Sequence, residues 1–197
     1  MKGLQLHALV WEAAGTRLRM DIAVPESAIV VAARPAASAL ADVLVGLSAP
    51  VDGAVSVDDR EVTGLPPGRR GITLVPPGGG LLPHLTVERN VAYGCGRGHR
   101  SRVRRRLQDL QLESVRGLRP HELSPVQRLQ VAVARALCLD ARPGAVVIED
   151  RRGETLCRAA VAAARSQDVA VLVITDSAER GAALGTPLMP EAIVDAP

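Results

Sequence analysis

The chain has 197 residues, a length typical of one compact domain with a sizeable core. Charged residues make up 23% of it and the net charge is only +3, so the overall charge gives little reason to expect a nucleic-acid or anionic-membrane binder. Because Lys2 is the only lysine, the composition also excludes chemistry that needs an internal lysine.

The cysteines and the first residues bear on the compartment. Cys95, Cys138 and Cys157 are odd in number and form no CxxC pair, so they predict neither a disulfide framework nor a metal site and favour a reducing cytoplasm. The first fifteen residues break a short apolar run with Gln, His and Glu, unlike a secretory signal, and we expect them to belong to the mature protein. No stretch approaches the roughly 18 apolar residues that cross a bilayer, so we expect any membrane role to run through a partner.

The first clear elements are a strand and a helix. Residues 28–33, AIVVAA, form a short apolar run rich in β-branched side chains and predict a buried strand. A loop, RPAAS, follows at residues 34–38, and SALADVLVGL from Ser38 predicts a helix. Residues 51–70 alternate apolar side chains with Gly, Pro and Asp, which predicts small antiparallel strands and turns.

The rest of the chain alternates predicted strands and helices. Apolar runs at residues 71–75, 145–149 and 169–174 predict buried strands, and residues 76–80, PPGGG, predict a loop. Helices are predicted from Thr86, as the capping residue of the first, and over residues 101–112, 124–139 and 156–165. The alternation predicts an α/β fold with a largely parallel sheet.

Two stretches carry the most specific patterns of the sequence: residues 66–94, PPGRRGITLVPPGGGLLPHLTVERNVAYG, and residues 121–137, HELSPVQRLQVAVARAL. They resemble, respectively, the Q-loop region and the signature helix of the nucleotide-binding subunit of ATP-binding cassette (ABC) transporters of the bacterial importer type. The resemblance covers nearly the whole chain in order. It implies a P-loop-NTPase-like ABC ATPase fold with a parallel core sheet, a small antiparallel β part and an α-helical subdomain at about residues 84–140, within one domain of residues 1–197.

The segment at the phosphate-binding loop departs from the family pattern. Such a loop works because glycines turn backbone N–H groups toward the phosphates, a lysine neutralises the terminal oxygens and a hydroxyl holds magnesium. Here RPAAS is three residues shorter than the family loop, Ala37 stands where the lysine should be, and only Ser38 matches. Losing the lysine and the glycine cradle together predicts the loss of ordinary ATP binding.

The signature segment is altered in the same way. Ser124 and Gln127 match the family, and by position alone they are candidate nucleotide-binding residues together with Ser38. Pro125 and Val126 replace two family glycines; proline removes a donor and valine adds bulk. The same residues predict a good helix start, with Ser124 as the N-cap, a proline in the first turn and Gln127 closing a capping box.

Four further family positions concern catalysis. Glu149 falls at the Walker B position and Asp150 at that of the catalytic acid, with their order reversed relative to the family. Acids at the carboxyl end of a strand lie where such folds place chemistry, but we favour the interpretation that these two form a solvated turn. Pro77 replaces the Q-loop glutamine and Thr175 the switch histidine, so we assign no catalytic residue.

The remaining candidates are an arginine cluster, a histidine and a tryptophan. Residues 96–106 hold six arginines and no acid, which could bind nucleic acid or anionic lipid, but only Tyr93 lies near as a stacking aromatic, and we favour a solvated helix face. His84 has no partner at metal-ligand spacing; the resemblance implies permease docking there. Trp11 falls loosely where the family stacks an aromatic on adenine, and we expect it to pack in the core.

These observations lead to one main hypothesis: a protein like the ATP-binding subunit of an ABC transporter that does not bind or hydrolyse ATP normally and acts as a structural or regulatory partner. Expected partners are a transmembrane permease and a second ATP-binding subunit, in a homo- or heterodimer, at the inner face of the cell membrane. No cofactor is expected; ATP and Mg²⁺ belong to the competing hypothesis of a divergent but functional importer subunit. An Arg-mediated nucleic-acid or phosphate-binding adaptor and the product of a decaying gene are also compatible with the sequence.

Overall fold

The structure is a computed structural model that describes residues 2–96, 98–139, 141–150, 162–164, 166–177, 179 and 187–193. Its strands are β1 (Leu4–Ala13), β2 (Thr16–Val24), β3 (Ser27–Val31), β4 (Asp52–Val57), β5 (Arg60–Glu61), β6 (Ile72–Val75), β7 (Ala145–Asp150), β8 (Ala170–Thr175), β9 (Pro187–Leu188) and β10 (Glu191–Ile193). Its helices are α1 (Arg34–Val45), α2 (Val87–Ala92), α3 (Arg100–Asp109) and α4 (Pro125–Leu137), joined in places by short 3₁₀ turns.

A five-stranded parallel sheet forms the centre of the molecule, with the strand order β6-β7-β8-β3-β9. Every residue of β7 and β8 is buried, as expected for strands covered on both faces, which explains their unbroken apolar sequences. Side chains of β8 alternate between two apolar layers, with Val171 and Val173 on one side and Leu172 and Ile174 on the other. The predicted α/β fold with a largely parallel sheet is confirmed.

A second, antiparallel sheet has the order β10-β2-β1-β4-β5 and covers one side of the molecule. Its inward side chains, among them Leu4, Leu6 and Leu9, share a core with α1 and one face of the parallel sheet. The hairpin between β1 and β2 turns at Ala14 and Gly15, which both have positive φ, of 51° and 78°, as a tight hairpin requires. The predicted strands within residues 51–70 are confirmed as β4 and β5.

The opposite face of the parallel sheet is covered by α2, α3 and α4. Their apolar side chains form one core with residues of β7 and β8; the buried set from the three helices includes Val87, Val91, Val103, Leu107, Leu129 and Val133. Helix α2 begins after Thr86, whose side chain accepts a hydrogen bond from the N–H of Arg89, so the predicted cap is confirmed. All three helices lie within the stretch predicted as an α-helical subdomain.

Helix α1 is fixed at both ends by side chains from other elements. The Trp11 Nε1 donates to the carbonyl O of Ala36 at 3.1 Å, and the indole is 1% exposed. Trp11 therefore packs in the core, as expected. At the other end the buried Arg70 donates to the Val43 carbonyl at 2.7 Å and also to that of Leu44, which satisfies carbonyls of the last turn.

Several predicted boundaries differ from the structure. The Arg-rich helix ends at Asp109 rather than 112, since Gln111 takes a positive φ of 56° that a helix cannot contain. Most of the predicted helix 156–165 lies outside the described residues; residues 162–164 are helical. In the part of the chain that the structure describes, the helices are too short or too polar to cross a bilayer.

Candidate functional site

The candidate site lies where β3 passes into α1. Only Ala32 and Ala33 separate the last residue of β3 from Arg34, the first residue of α1. The predicted loop over RPAAS is therefore wrong, because these five residues form the start of the helix. Pro35 has the φ that the first helical turn needs, the alanines favour helix, and the N–H of Ala37 already donates to the Ala33 carbonyl at 2.9 Å.

The helical start brings Ser38 to the end of β7. Its Oγ lies 3.0 Å from the carbonyl O of Arg34 and 3.1 Å from Oε1 of Glu149. A hydroxyl carries one proton, so it donates to one of these oxygens at a time. Two residues that the sequence places in separate motifs, 111 positions apart, are thus neighbours in the structure.

The carboxylates of Glu149 and Asp150 are buried, with only 6% and 5% of each residue exposed. The solvated turn expected from the sequence is therefore wrong; both residues belong to β7, in the middle of the parallel sheet. Adjacent strand residues leave opposite faces of a sheet, so the two side chains diverge. Glu149 faces α1 and contacts Ser38, whereas Asp150 leaves the other face.

The end of β8 contributes a residue that sequence analysis did not single out. Asp176 follows Thr175 directly, and its Oδ2 accepts a charge-assisted hydrogen bond from Nε of Arg34 at 3.0 Å. The Arg34 side chain is 70% exposed and that of Asp176 19%. The sequence does contain a hint of this role, because Asp176 comes directly after a buried strand. The carboxyl ends of parallel strands meet at one edge of the sheet, where such folds place their functional residues.

Thr175, at the switch-histidine position, is 1% exposed. Its carbonyl accepts from the N–H of Ala32 at 2.9 Å, and its Oγ1 accepts from the N–H of Ser177 at 3.3 Å. The hydroxyl therefore stabilises the turn from Thr175 to Ser177. The carbonyl extends the pairing of β8 with β3 by one residue, to Ala32.

The start of α4 forms the predicted capping box. Oγ of Ser124 accepts from the N–H of Gln127 at 3.2 Å, and Oε1 of Gln127 accepts from the N–H of Ser124 at 2.9 Å. Pro125 occupies the first helical turn, where its missing N–H costs nothing. The predicted helix start is confirmed, and these contacts account for both polar side chains without a ligand.

The glycine-rich turn that contains Pro77 is bound tightly to α4. Gly79 has a φ of 80°, and a Cβ placed on it would lie 3.0 Å from the carbonyl O of Arg128. Arg135 donates to the carbonyl oxygens of Gly79 and Gly80 at 3.0 and 2.9 Å, and burial lowers the pKa of its guanidinium. The turn that follows the family's Q-loop glutamine position is therefore held against α4 by Arg135, and Pro77 offers no side-chain donor there.

The arginine cluster divides into structural and exposed residues. Arg102 reaches the carbonyl O of Leu139 at 3.4 Å, and Arg106 pairs with Asp109 at 2.7 Å. Arg104 and Arg105 are exposed. Arg102 therefore attaches α3 to the residue after α4, the Arg106–Asp109 pair lies within α3, and Arg104 and Arg105 form part of a basic surface. Residue 97 lies outside the described range.

His84 is exposed in the turn before α2. A cleft of about 540 Å³ runs along the edge strand β6, and Ile72, Leu74 and Leu139 are among its apolar lining residues, but His84 is not. Within the described ranges, His, Cys, Asp and Glu form no group of three or more that could hold a metal ion.

The chain is similar to proteins of known families. The ABC transporter family matches residues 37–143. Among curated relatives, a spermidine/putrescine import ATP-binding protein of Frankia alni is 38% identical over 56% of the chain and 24% of its own length. The sn-glycerol-3-phosphate import ATP-binding protein of Escherichia coli O157:H7 is 32% identical over 71% of the chain and 43% of its own length. The chain thus spans less than half the length of these relatives.

Solved structures agree on the fold. CbiO1 from Clostridium perfringens, part of the ABC transporter complex CbiONQ, superposes with a TM-score of 0.75 over 98% of this chain and 87% of its own, at 18% identity. A dimeric ATP-binding cassette solved with ADP and phosphate gives a TM-score of 0.67, also at 18% identity, over 94% of this chain and 93% of its own. With the family match extending over more than half of the chain and the parallel sheet arranged as in these structures, the chain belongs to the ABC transporter family.

Proposed function

We propose that this chain is a pseudo-ATPase: a protein built like the ATP-binding subunit of an ABC transporter that does not bind or hydrolyse ATP by the usual machinery and serves as a structural or regulatory partner in a transporter complex. One observation carries the proposal. Only two residues lie between the end of β3 and Arg34, the first residue of α1, so the chain between them offers no loop to wrap around phosphates.

The groups left at the start of α1 fit ATP poorly. Pro35 has no N–H, and that of Ala37 is used within the helix. Arg34, the only cationic residue of the segment, is paired with Asp176, and the only lysine of the chain, Lys2, precedes β1 in the antiparallel sheet. A triphosphate placed here would approach the carboxylates of Asp176 and Glu149 with no lysine to neutralise it, which opposes binding.

One observation favours the alternative of a divergent but functional ATP-binding subunit. The Ser38 hydroxyl and the Glu149 carboxylate lie 3.1 Å apart, and hydroxyl and carboxylate oxygens are ligands that Mg²⁺ accepts. The relatives are also named as ATP-binding proteins. The two proposals differ in one measurable property, the affinity for ATP with magnesium.

For partners, we propose a transmembrane permease and a second ATP-binding subunit, in a homo- or heterodimer at the inner face of the cell membrane. The family membership and the names of the relatives, which are import ATP-binding proteins, support this assignment. The helices α2 to α4, within about residues 84–140, are proposed as the helical subdomain of a single domain of residues 1–197.

Calorimetric titration with ATP and MgCl₂ into the millimolar range tests the proposal, together with the melting temperature at each ATP concentration, because a ligand of the folded state raises Tm with its concentration. We expect no binding and no rise in Tm. Micromolar binding that is weakened at least tenfold in Ser38→Ala would overturn the proposal and support the alternative. Binding that is unaffected by that substitution would place ATP outside the α1 site. If inorganic triphosphate then displaced the ATP, the nucleotide would be held by the charge of its phosphates alone.

A further inference from the structure

Two cysteines that are 43 positions apart in the sequence lie against each other in the structure. Cys95 lies between α2 and α3, and Cys138 is the residue at the C-terminal end of α4. The thiol of Cys95 donates to the carbonyl O of Cys138 with a sulfur to oxygen distance of 2.8 Å. Both residues are free thiols, so the structure holds the pair in its reduced form.

The backbone around the two thiols is closely packed. A Cβ placed on Gly94 would lie 2.9 Å from Cδ2 of Leu139, so the chain at Gly94 runs in van der Waals contact with the end of α4. Arg102 in α3 donates to the Leu139 carbonyl at 3.4 Å, which attaches α3 to the same segment. The packing of α2, α3 and α4 therefore brings the chain at Cys95 close to the end of α4.

The two thiols differ in accessibility. Cys138 is 0% exposed, and Cys95 is half-buried. Burial and the neighbouring Cys95 thiol raise the pKa of Cys138 to about 12, while Arg102 and Arg106 act in the opposite direction. The half-buried Cys95 is therefore the thiol that an oxidant reaches, and the buried Cys138, which stays protonated, is the thiol placed to react with it once it has been oxidised.

We propose that Cys95 and Cys138 are a redox-modification site that closes to a reversible disulfide. With hydrogen peroxide as the oxidant, the Cys95 sulfur attacks a peroxide oxygen, the O–O bond breaks, and a sulfenic acid and one water result. The Cys138 sulfur then attacks the Cys95 sulfur, the S–O bond breaks, and the hydroxyl leaves as a second water with the Cys138 proton. Two thiols have lost two electrons in total and peroxide has gained them; a small-molecule thiol reverses the reaction by exchange.

The disulfide would join the α2–α3 connection to the end of α4. Since α3 and α4 both lie between the two cysteines, the bond would constrain a long segment of the unfolded chain, and the oxidised protein should melt at a higher temperature. We expect a rise in Tm of roughly 5 to 10 °C that a reducing agent removes.

The experiment uses the full chain, reduced, then treated with a small excess of hydrogen peroxide, denatured and alkylated before peptide mass mapping. The expected product is a Cys95 to Cys138 cross-linked peptide about 2 Da lighter than its two reduced parts, with Cys157 alkylated. The Cys157→Ser variant should form the same link, and Cys95→Ser should form none. Cys95→Ala and Cys138→Ala serve as second variants in case a serine disturbs folding.

Three outcomes would overturn the proposal: both thiols alkylated after treatment, Cys95 oxidised to sulfinic acid without a link to Cys138, or a link that involves Cys157. Native and denatured protein are oxidised in parallel, and the yield of each disulfide is compared between the two samples. The denatured chain pairs its cysteines at random, so any excess of the Cys95–Cys138 link in the native sample comes from proximity in the fold. Equal yields of the Cys95–Cys138, Cys95–Cys157 and Cys138–Cys157 links in both samples would also contradict the proposed site.

Discussion

The contact between Ser38 and Glu149 allows a quantitative test of how α1 is attached to the parallel sheet. Ser38→Ala removes a donor 3.1 Å from the carboxylate of Glu149, a residue only 6% exposed. A hydrogen bond to a charged group contributes roughly 1.5 to 3 kcal/mol, whereas alanine favours the helix by about 0.5 kcal/mol over serine. The expected net loss is therefore about 1 to 2.5 kcal/mol, or a fall in Tm of roughly 2 to 10 °C.

Urea denaturation followed by circular dichroism measures this loss, with an unchanged m-value as the sign that the folded state is intact. Ser101→Ala is the matched control, since Ser101 is an exposed residue of α3 and the same substitution there should change stability by no more than about 0.5 kcal/mol. A double-mutant cycle with Glu149→Gln isolates the pair. If Ser38→Ala costs no more than Ser101→Ala, or if the cycle shows no coupling, the contact does not hold α1 to β7.

Two further predictions concern the glycine-rich turn and the buried thiol. Gly79→Ala should destabilise the protein by about 2 kcal/mol, because Gly79 has a φ of 80° and a Cβ there would lie 3.0 Å from the Arg128 carbonyl O. Gly64→Ala is the control: its Cβ would meet no atom within 4 Å, so it should be nearly neutral in the same urea assay. Burial raises the pKa of Cys138 from 9.0 to about 12 in the folded state, so the unfolded chain loses this proton first, and stability should fall by up to about 1 kcal/mol per pH unit as the pH rises above 9. Cys138→Ala should flatten that pH dependence; the same slope in the variant would contradict the assignment.

The parts of the fold that could be predicted are those whose sequence pattern is local. The strands β7 and β8 are buried at every residue, so they appear as unbroken apolar runs. The hairpin β1–β2 could not be recognised, because the register of β1 shifts between Leu6 and Leu9, where Ala8 has a φ of 45°, and the alternation of apolar and polar residues is broken.

In the candidate site, too, contacts between residues close in the sequence could be predicted, whereas contacts between distant residues could not. The capping box of Ser124 and Gln127 is a local pattern and was predicted in full. The helical start at RPAAS was missed because the resemblance imposes a loop there, although Pro35 and the alanines favour a helix. The pairing of Arg34 with Asp176 joins residues 142 positions apart, and no periodicity in one sequence reports such a contact.

The charges at the start of α1 explain how the site can be stable without a nucleotide. A helix N-terminus carries partial positive charge, and here the cationic Arg34 adds to it. In a phosphate-binding protein an anionic ligand balances such a charge, whereas in this chain the carboxylate of Asp176 lies 3.0 Å from Nε of Arg34. Glu149, which accepts from Ser38 in the next turn, adds a second carboxylate on the same side of the helix. Because the protein's own carboxylates supply the negative charge, a phosphate would have to displace or repel them, and the folded state needs no phosphate to neutralise this end of α1.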